Sequence, residues 1–497
     1  KAVQSMTNGY TLTVSALRGT IFDCNMQPIT NSETKILAAV TPTPRAITAI
    51  SAYLSGEKLE ATLNTLKTGK PALAQVEQEI DCEGIITLEV PQYVSSNTVC
   101  EHLIGYLDNE NHGASGIEKT YDQNLYSEEK IEIIYPSDAL GNFLLGDRVE
   151  VIYNENIVAS GVALTIDTEL QKLTESAMDG VLSGAAVVME VGTGKIRAMV
   201  SKPSFDLDNV ADYLDSENSP LINRTLSAYN VGSAFKPCVA AALLESGSNI
   251  GYTCVCKGKT TVADHTFKCH KLSGHGAVDL SAAISQSCNV FFYKISSILG
   301  AKSIYNMARK LNFGTALDIG KISTAAGSID TLSNLENSPT ALANLSIGQG
   351  KLLLSPVSIL TLYEAIANGG VYSMPKVVEG VVKNGIIERE KSTPKTRAMS
   401  EQTADKLKQY LCNVLNEGTG TAAKPQYVLA AGKTATAETG WRKNGRLIQN
   451  SWFCGFFPVE TPKYVVAVLI EDEALNGSAG APFFKKIADK IALFKGL

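Results

Sequence analysis

Gly232-Ser233-Ala234-Phe235-Lys236-Pro237-Cys238, followed by the apolar run Val239–Leu244, places a serine at the start of a helix and a lysine one turn further on. Pro237 suits a first helical turn, where a missing N–H costs nothing. Lys236, three residues after Ser233, shares its face. A serine is a poor nucleophile unless a base takes its proton. A lysine does so only where burial or a second cation depresses its pKa. The free N–H groups of the helix start also face any oxyanion that forms there.

Two further strings extend this reading. Ser287-Cys288-Asn289 lies inside Leu280–Leu299, a helical stretch with apolar flanks. A tight turn at its middle would present Ser287, as proton relay to a leaving amine, and Asn289, as holder of a substrate amide. Lys433-Thr434-Ala435-Thr436 follows Gly432 on a predicted strand. A cation and a hydroxyl there would bind a carboxylate and help depress the pKa of Lys236. Each string alone is common in long chains. Their order, with gaps of 54 and 146 residues, gives them joint meaning.

The surrounding pattern predicts an α+β fold in two domains. Residues 1–155 read as strand-rich, with strands at Tyr10–Leu17, Lys130–Tyr135 and Asp147–Tyr153 and helical patches at Thr43–Ser55 and Leu59–Lys67. Residues 160–497 form the second domain. Thr165-Ile166-Asp167 supplies an N-cap for a helix over Glu169–Leu182. Strands Ala185–Val191 and Lys195–Ser201 join through Gly192-Thr193-Gly194 as a hairpin. A helix-rich middle runs from Ser233 to about Ala367. Strands at Tyr427–Ala437, Asn450–Phe457 and Lys463–Glu471 and a helix at Ala481–Phe494 close the chain. Hairpin, three late strands and helices together predict an antiparallel sheet flanked by helices, with a helical subdomain inserted.

Composition bounds the function. Hydrophobic residues make up 44% of the 497 and charged residues 19%, values of a globular protein rather than a disordered one. A net charge of −6 excludes a nucleic-acid partner. No stretch approaches the roughly 18 apolar residues of a membrane span. Most of the ten cysteines stand singly in apolar runs, as buried thiols do, and this suits an anaerobic source.

Arg18-Gly19-Thr20-Ile21-Phe22-Asp23 adds to the pattern, as does Gly113-Ala114-Ser115-Gly116-Ile117-Glu118 with Tyr121-Asp122 and Leu125. So do Asn223-Arg224, Gly348-Gln349-Gly350 and Trp452-Phe453-Cys454-Gly455-Phe456. With these strings the chain resembles, over nearly its whole length, the class B penicillin-binding proteins. It resembles in particular a kind seen in anaerobic Gram-positive, clostridial-type bacteria.

The resemblance implies a pedestal or dimerisation-type domain followed by a penicillin-binding transpeptidase domain. It makes Ser233 the acylated nucleophile, Lys236 its base, Ser287 the proton shuttle and Asn289 a substrate ligand. Lys433 and Thr434 would recognise a carboxylate, and the N–H groups of Ser233 and Thr436 would form the oxyanion hole. The substrate implied is the D-Ala–D-Ala end of a peptidoglycan stem peptide, crosslinked through an acyl-enzyme that β-lactams mimic. No cofactor is expected for the catalysis. A membrane glycosyltransferase partner, the extracytoplasmic face of the membrane and an anchor before Lys1 are implied too. The sequence departs from the family pattern at Ala435, where glycine is expected, at Val231 and at Cys24. If Ala435 lines the cleft, its methyl narrows it.

A second cluster lies between these motifs. Cys254, Cys256, His265, Cys269, His270 and His275 fall within 22 residues. Zinc takes four such ligands in a tetrahedron. Cys256 and Cys269 would face each other across a hairpin and His275 would close the site, with the fourth ligand open among Cys254, Asp264, His265 and His270. A Cys256–Cys269 disulfide, or a loop packed through these side chains, are the alternatives. The segment is similar to a zinc-binding thiol motif beside the active site of some penicillin-binding proteins from anaerobes.

Two other functions compete. A D,D-carboxypeptidase or β-lactamase would resolve the acyl-enzyme with water, but the chain has no Glu-x-x-Leu-Asn string of the class A β-lactamase type. A non-crosslinking scaffold or β-lactam sensor finds its one support in Ala435.

Overall fold

The structure, a computed structural model, describes residues 9–95, 98–137, 149–443, 445–471 and 479–497. These form two compact units. One takes residues up to Thr98, Tyr106–Leu164 and Glu379–Glu390; the other takes Val99–Gly105, Thr165–Val378 and Lys391–Leu497.

The first unit is built from three small sheets. In one, Lys130–Pro136 lies between Gly9–Ala16 and Glu150–Ile152. The expected strand at Asp147–Tyr153 thus survives as its last part, residues 147 and 148 lying outside those described. In the second, Glu33–Val40 lies between Ala72–Val76 and Ile85–Gln92. Helices Pro44–Ile50 and Gly56–Lys67 bury Ala46, Ile50 and Leu66 against Ala38, Val40 and Ala72 of that sheet. Thr43 starts the first of these helices by accepting a hydrogen bond from the Ala46 N–H. The third sheet joins Thr20–Phe22 and Gly161–Leu164, as a parallel pair, to Val378–Lys383 and Ile386–Arg389.

The two N-terminal motifs meet in this unit. The buried Arg18 donates from Nε and Nη2 to Glu118 Oε2 at 2.9 and 2.7 Å, and from Nη2 to Asp122 Oδ1 at 2.8 Å. Burial raises the pKa of Glu118, and Arg18 opposes that rise.

The second unit is organised on a five-stranded antiparallel sheet. Helix α1 (Thr168–Ala177) begins at Asp167, whose carboxylate accepts from the N–H groups of Glu169 and Leu170. It ends earlier than the sequence predicts, with Gly180 just beyond in a left-handed conformation at φ +84°. Strands β1 (Gly184–Glu190) and β2 (Ile196–Lys202) form the expected hairpin. Late in the chain come β3 (Ala431–Lys443), β4 (Arg446–Phe457) and β5 (Tyr464–Ile470), in the spatial order β2-β1-β5-β4-β3. β5 is central and buried at every position but Tyr464, hence its unbroken apolar run.

Helices cover both faces of this sheet. On one, α2 (Gly480–Lys495) sets Phe484 against Phe453, ring centroids 4.3 Å apart. On the other, Trp452 donates to Asn230 O at 2.9 Å. There Pro356–Ala367, buried at every residue, hydrogen-bonds through Tyr363 to Ala234 O at 3.0 Å. A helix apolar all round belongs in a core. The middle of the chain is rich in helices as expected, with irregular stretches over 311–331 and 347–355 and a strand-built one between 254 and 278. There four short strands, Cys254–Cys256, Lys259–Val262, His265–Lys268 and Gly276–Val278, form two ribbons. Among the described residues no helix is long and apolar enough to cross a membrane.

Candidate active site and metal cluster

Ser233 sits in a 3-10 turn, Gly232–Phe235, and the α-helix Lys236–Glu245 starts directly after it. Gly232 has φ +51°, and a Cβ there would come within 2.5 Å of Thr436 O. Only glycine lets the Ser233 turn lie this close to strand β3.

The helix predicted over Leu280–Leu299 breaks where the second motif falls. Leu280–Ser285 ends, Ser287 takes a left-handed φ of +56°, and Asn289–Leu299 begins with Cys288 at its N-cap. The break delivers Ser287 and Asn289 to Lys236. Lys236 Nζ donates to Ser287 O at 2.7 Å, to Ser287 Oγ at 3.0 Å and to Asn289 Oδ1 at 2.7 Å. Lys236 is fully buried, and burial pulls its pKa down to about 7 although Cys288 and Cys269 favour the charged form. Lys433 is also fully buried; burial first, then the charge of Lys236, holds its pKa well below that of an exposed lysine.

Ser233, Ser287, Asn289, Thr434, Ala435 and Thr436 line one cleft of about 930 Å³. Lys236 and Lys433 stand behind its wall, the latter donating to Thr434 O at 3.0 Å. Ala435 does line the cleft and is 3% exposed, on the strand position opposite Trp452. Three lining residues carry no sequence signal of their own. Thr419 shares a 2.7 Å hydrogen bond with Thr434. Tyr293 is one turn past Asn289, and Glu438 lies two residues past Thr436.

The second cluster also assembles, with one change. Donor atoms of Cys256, Cys269, His275 and Cys288 all lie within 4.8 Å of one another. The fourth of these converging donor atoms belongs to Cys288, and Cys254, Asp264, His265 and His270 are not in the group. Cys254 shares a strand face with the buried Cys256 but is itself only half-buried and is not among the converging donors. Asp264 and His265 lie at the tip of the Lys259–Lys268 ribbon. His270 lies at the margin, its ring tilted 53° to that of His275 with centroids 5.0 Å apart. Cys288 went unread as a donor because it is the middle residue of Ser287-Cys288-Asn289.

Three thiols and one imidazole fit zinc in chemistry and in geometry. His275 Nδ1 is 3.6 Å from Cys256 Sγ and 3.5 Å from Cys269 Sγ. Tetrahedral bonds of about 2.3 Å to sulfur and 2.05 Å to nitrogen require a separation of about 3.6 Å. Cys269 is hydrogen-bonded by Cys288, which lowers its pKa and raises that of Cys288. Burial lowers the pKa of His275, keeping the imidazole neutral as a ligand must be. All ten cysteines are free thiols, so Cys256 and Cys269 form no disulfide.

The chain is similar to known proteins in sequence and in fold. Residues 184–489 match the sequence profile of the family described as "Penicillin binding protein transpeptidase domain". Stage V sporulation protein D of Bacillus subtilis is 27% identical over 434 residues, 82% of this chain and 65% of that protein. Peptidoglycan D,D-transpeptidase MrdA of Haemophilus influenzae is 27% identical over 417 residues, 76% of this chain and 62% of that protein. This chain thus spans a little under two thirds of either relative. Penicillin binding protein 3 of Mycobacterium tuberculosis, solved with aztreonam, has the same fold: TM-score 0.70 at 22% identity, covering 98% of both chains.

Proposed function

This chain belongs to the penicillin-binding protein transpeptidase family, and we propose from that premise that it is a peptidoglycan D,D-transpeptidase working through a Ser233 acyl-enzyme. The observation that carries the reading is the buried Lys236 amine, one turn from Ser233 and bracketed by Ser287 and Asn289 at 2.7–3.0 Å.

In its neutral form Lys236 takes the Ser233 proton as Oγ bonds to the carbonyl carbon of a D-Ala–D-Ala terminus. The N–H groups of Ser233 and Thr436 hold the oxyanion. Thr434 and Lys433 hold the terminal carboxylate, whose own negative charge favours the protonated form of the buried Lys433, and Asn289 holds the stem-peptide amide. As the C–N bond breaks, the departing D-alanine amine receives a proton from Ser287, which Lys236 replaces. An acceptor amine then attacks the ester. A new C–N bond forms as the C–O ester bond breaks, and the amine's surplus proton passes through Lys236 to Ser233 Oγ, which leaves as the alcohol. β-Lactams would stop at the ester. Benzylpenicillin should add its mass to the intact chain, with the adduct on Ser233 and lost in Ser233→Ala; an unaltered mass, or an adduct elsewhere, refutes the reading.

The donor chemistry of Cys256, Cys269, His275 and Cys288 supports a structural zinc held by these four. Bound there, the metal would supply a fixed tetrahedral junction between the ribbons and the start of the Asn289–Leu299 helix. The ten free thiols accord with an anaerobic, clostridial-type source. Residues 1–155 would serve as pedestal to the catalytic domain at 160–497. The substrate places the protein at the extracytoplasmic face of the membrane, beside the glycosyltransferase that makes its glycan strands.

A further inference from the structure

Strand β3 carries Thr434, Thr436 and Glu438 on one face, at the two-residue period of a strand, and all three line the cleft with Ser233. Glu438 pairs with Gln449 of β4, another lining residue, and is the last regular pair before the register shifts toward Arg442. Breaks of this kind re-aim the side chains beside them. Glu438 is the one acidic group among the described lining residues, the others that titrate being Lys268, Cys269, His270 and Tyr293. Its carboxylate is exposed and makes no hydrogen bond or ion pair among the described residues.

The proposed chemistry gives this position a meaning. The donor's terminal carboxylate sits at Thr434 and its attacked carbonyl at the Thr436 N–H. A peptide running along β3 from there sets the residue that precedes D-Ala–D-Ala one step, about 3.3 Å, beyond Thr436, and a long side chain on it spans the rest of the roughly 6.6 Å to Glu438. We propose that Glu438 is a specificity residue that selects donors whose residue before D-Ala–D-Ala is a diamino acid, by pairing with that residue's free side-chain ammonium. The proposal rests on Ser233 being the nucleophile of a D-Ala–D-Ala transpeptidase. It assigns the recognition of the donor side chain to one residue, which that reading leaves open.

The test uses three acetylated donors, X-D-Ala-D-Ala, with X as lysine, meso-diaminopimelate or the amine-free norleucine. D-Alanine release is followed by mass spectrometry in wild type, Glu438→Gln and Glu438→Lys. The quantity read is the ratio of kcat/KM for each amine donor to that for norleucine. A partly solvated ion pair at a cleft rim supports a ratio of roughly fivefold in wild type. It should fall to about one in Glu438→Gln and below one in Glu438→Lys, for both amine donors. A preference that survives Glu438→Gln overturns the proposal. So does the absence of any preference or turnover in a wild type whose Ser233 is acylated by benzylpenicillin. A wild type in which Ser233 accepts neither benzylpenicillin nor any donor instead overturns the nucleophile assignment beneath it.

Discussion

Acylation by benzylpenicillin should rise about tenfold between pH 6 and pH 8. Lys236 acts as base only when neutral, and its pKa stands at about 7. The neutral fraction is then about 9% at pH 6 and about 91% at pH 8, and a rate limited by general-base catalysis follows that fraction. The sign comes from burial: removing the ammonium from water disfavours the charged form, so the proton leaves at lower pH than from an exposed lysine. The Cys269 and Cys288 thiols pull the other way and are outweighed. Penicillin's carboxylate is ionised throughout this range, so the profile belongs to the protein. The assay is the second-order rate constant for adduct formation, by intact mass, across pH 6–8.5 at constant ionic strength. Lys236→Arg, which cannot deprotonate, is the control and should lose acylation. A flat profile, or a rate that falls as pH rises, refutes the assignment of Lys236 as base.

Ser287→Ala removes one acceptor from the Lys236 ammonium, a charge-assisted bond worth about 1.5–3 kcal/mol. The acylation midpoint should move down by about one to two pH units, and a midpoint that stays near 7 counts against the contact. Ala435→Gly should speed acylation by bulky cephalosporins roughly fivefold relative to benzylpenicillin, the relief of about 1 kcal/mol of overpacking. Equal acceleration of both, or of neither, refutes steric narrowing at this position. Cys288→Ser should lower the zinc content of protein purified without added metal and lower its melting temperature, while Cys254→Ser should change neither. Wild-type protein with far less than one equivalent of zinc would dismiss the metal.

The nucleophile's surroundings were legible because they are local. Ser233 and Lys236 lie within one turn, and the apolar run after Pro237 declares a helix buried all round. The break at Ser287 was legible as well, since a serine and an asparagine placed mid-helix need a turn to face a cleft. Partnerships across the chain were not. The strand Val378–Lys383 joins a sheet with Gly161–Leu164, and no alternation pattern says which distant strand pairs with which. The fourth donor stayed open among Cys254, Asp264, His265 and His270, because the residue that converges with the other three, Cys288, lies 13 residues past His275 and is brought there only by the fold. Thr419 is a plain threonine between two glycines until β3 is set beside it.

The hydrogen bonds around Lys236 also contain the order of proton transfers. An ammonium has three donors, and Lys236 has three acceptors: Ser287 O, Ser287 Oγ and Asn289 Oδ1. The charged form is therefore satisfied within the wall of the cleft, without Ser233. A neutral amine has two donors and one lone pair, so one of the three contacts must reverse or break. The backbone carbonyl and the amide oxygen have no proton to give; only the Ser287 hydroxyl can reverse. Loss of the proton from Lys236 thus turns the Ser287 O–H toward the amine. For Lys236 to accept from Ser233, its lone pair must leave that contact, and the Ser287 hydroxyl is released toward the leaving amine as Ser233 is deprotonated. The same serine that stabilises the resting ammonium is thereby free to carry the proton onward when the ester forms. The left-handed backbone at Ser287, which costs about 1–2 kcal/mol, is offset by bonds to Lys236 that the charged state makes twice over.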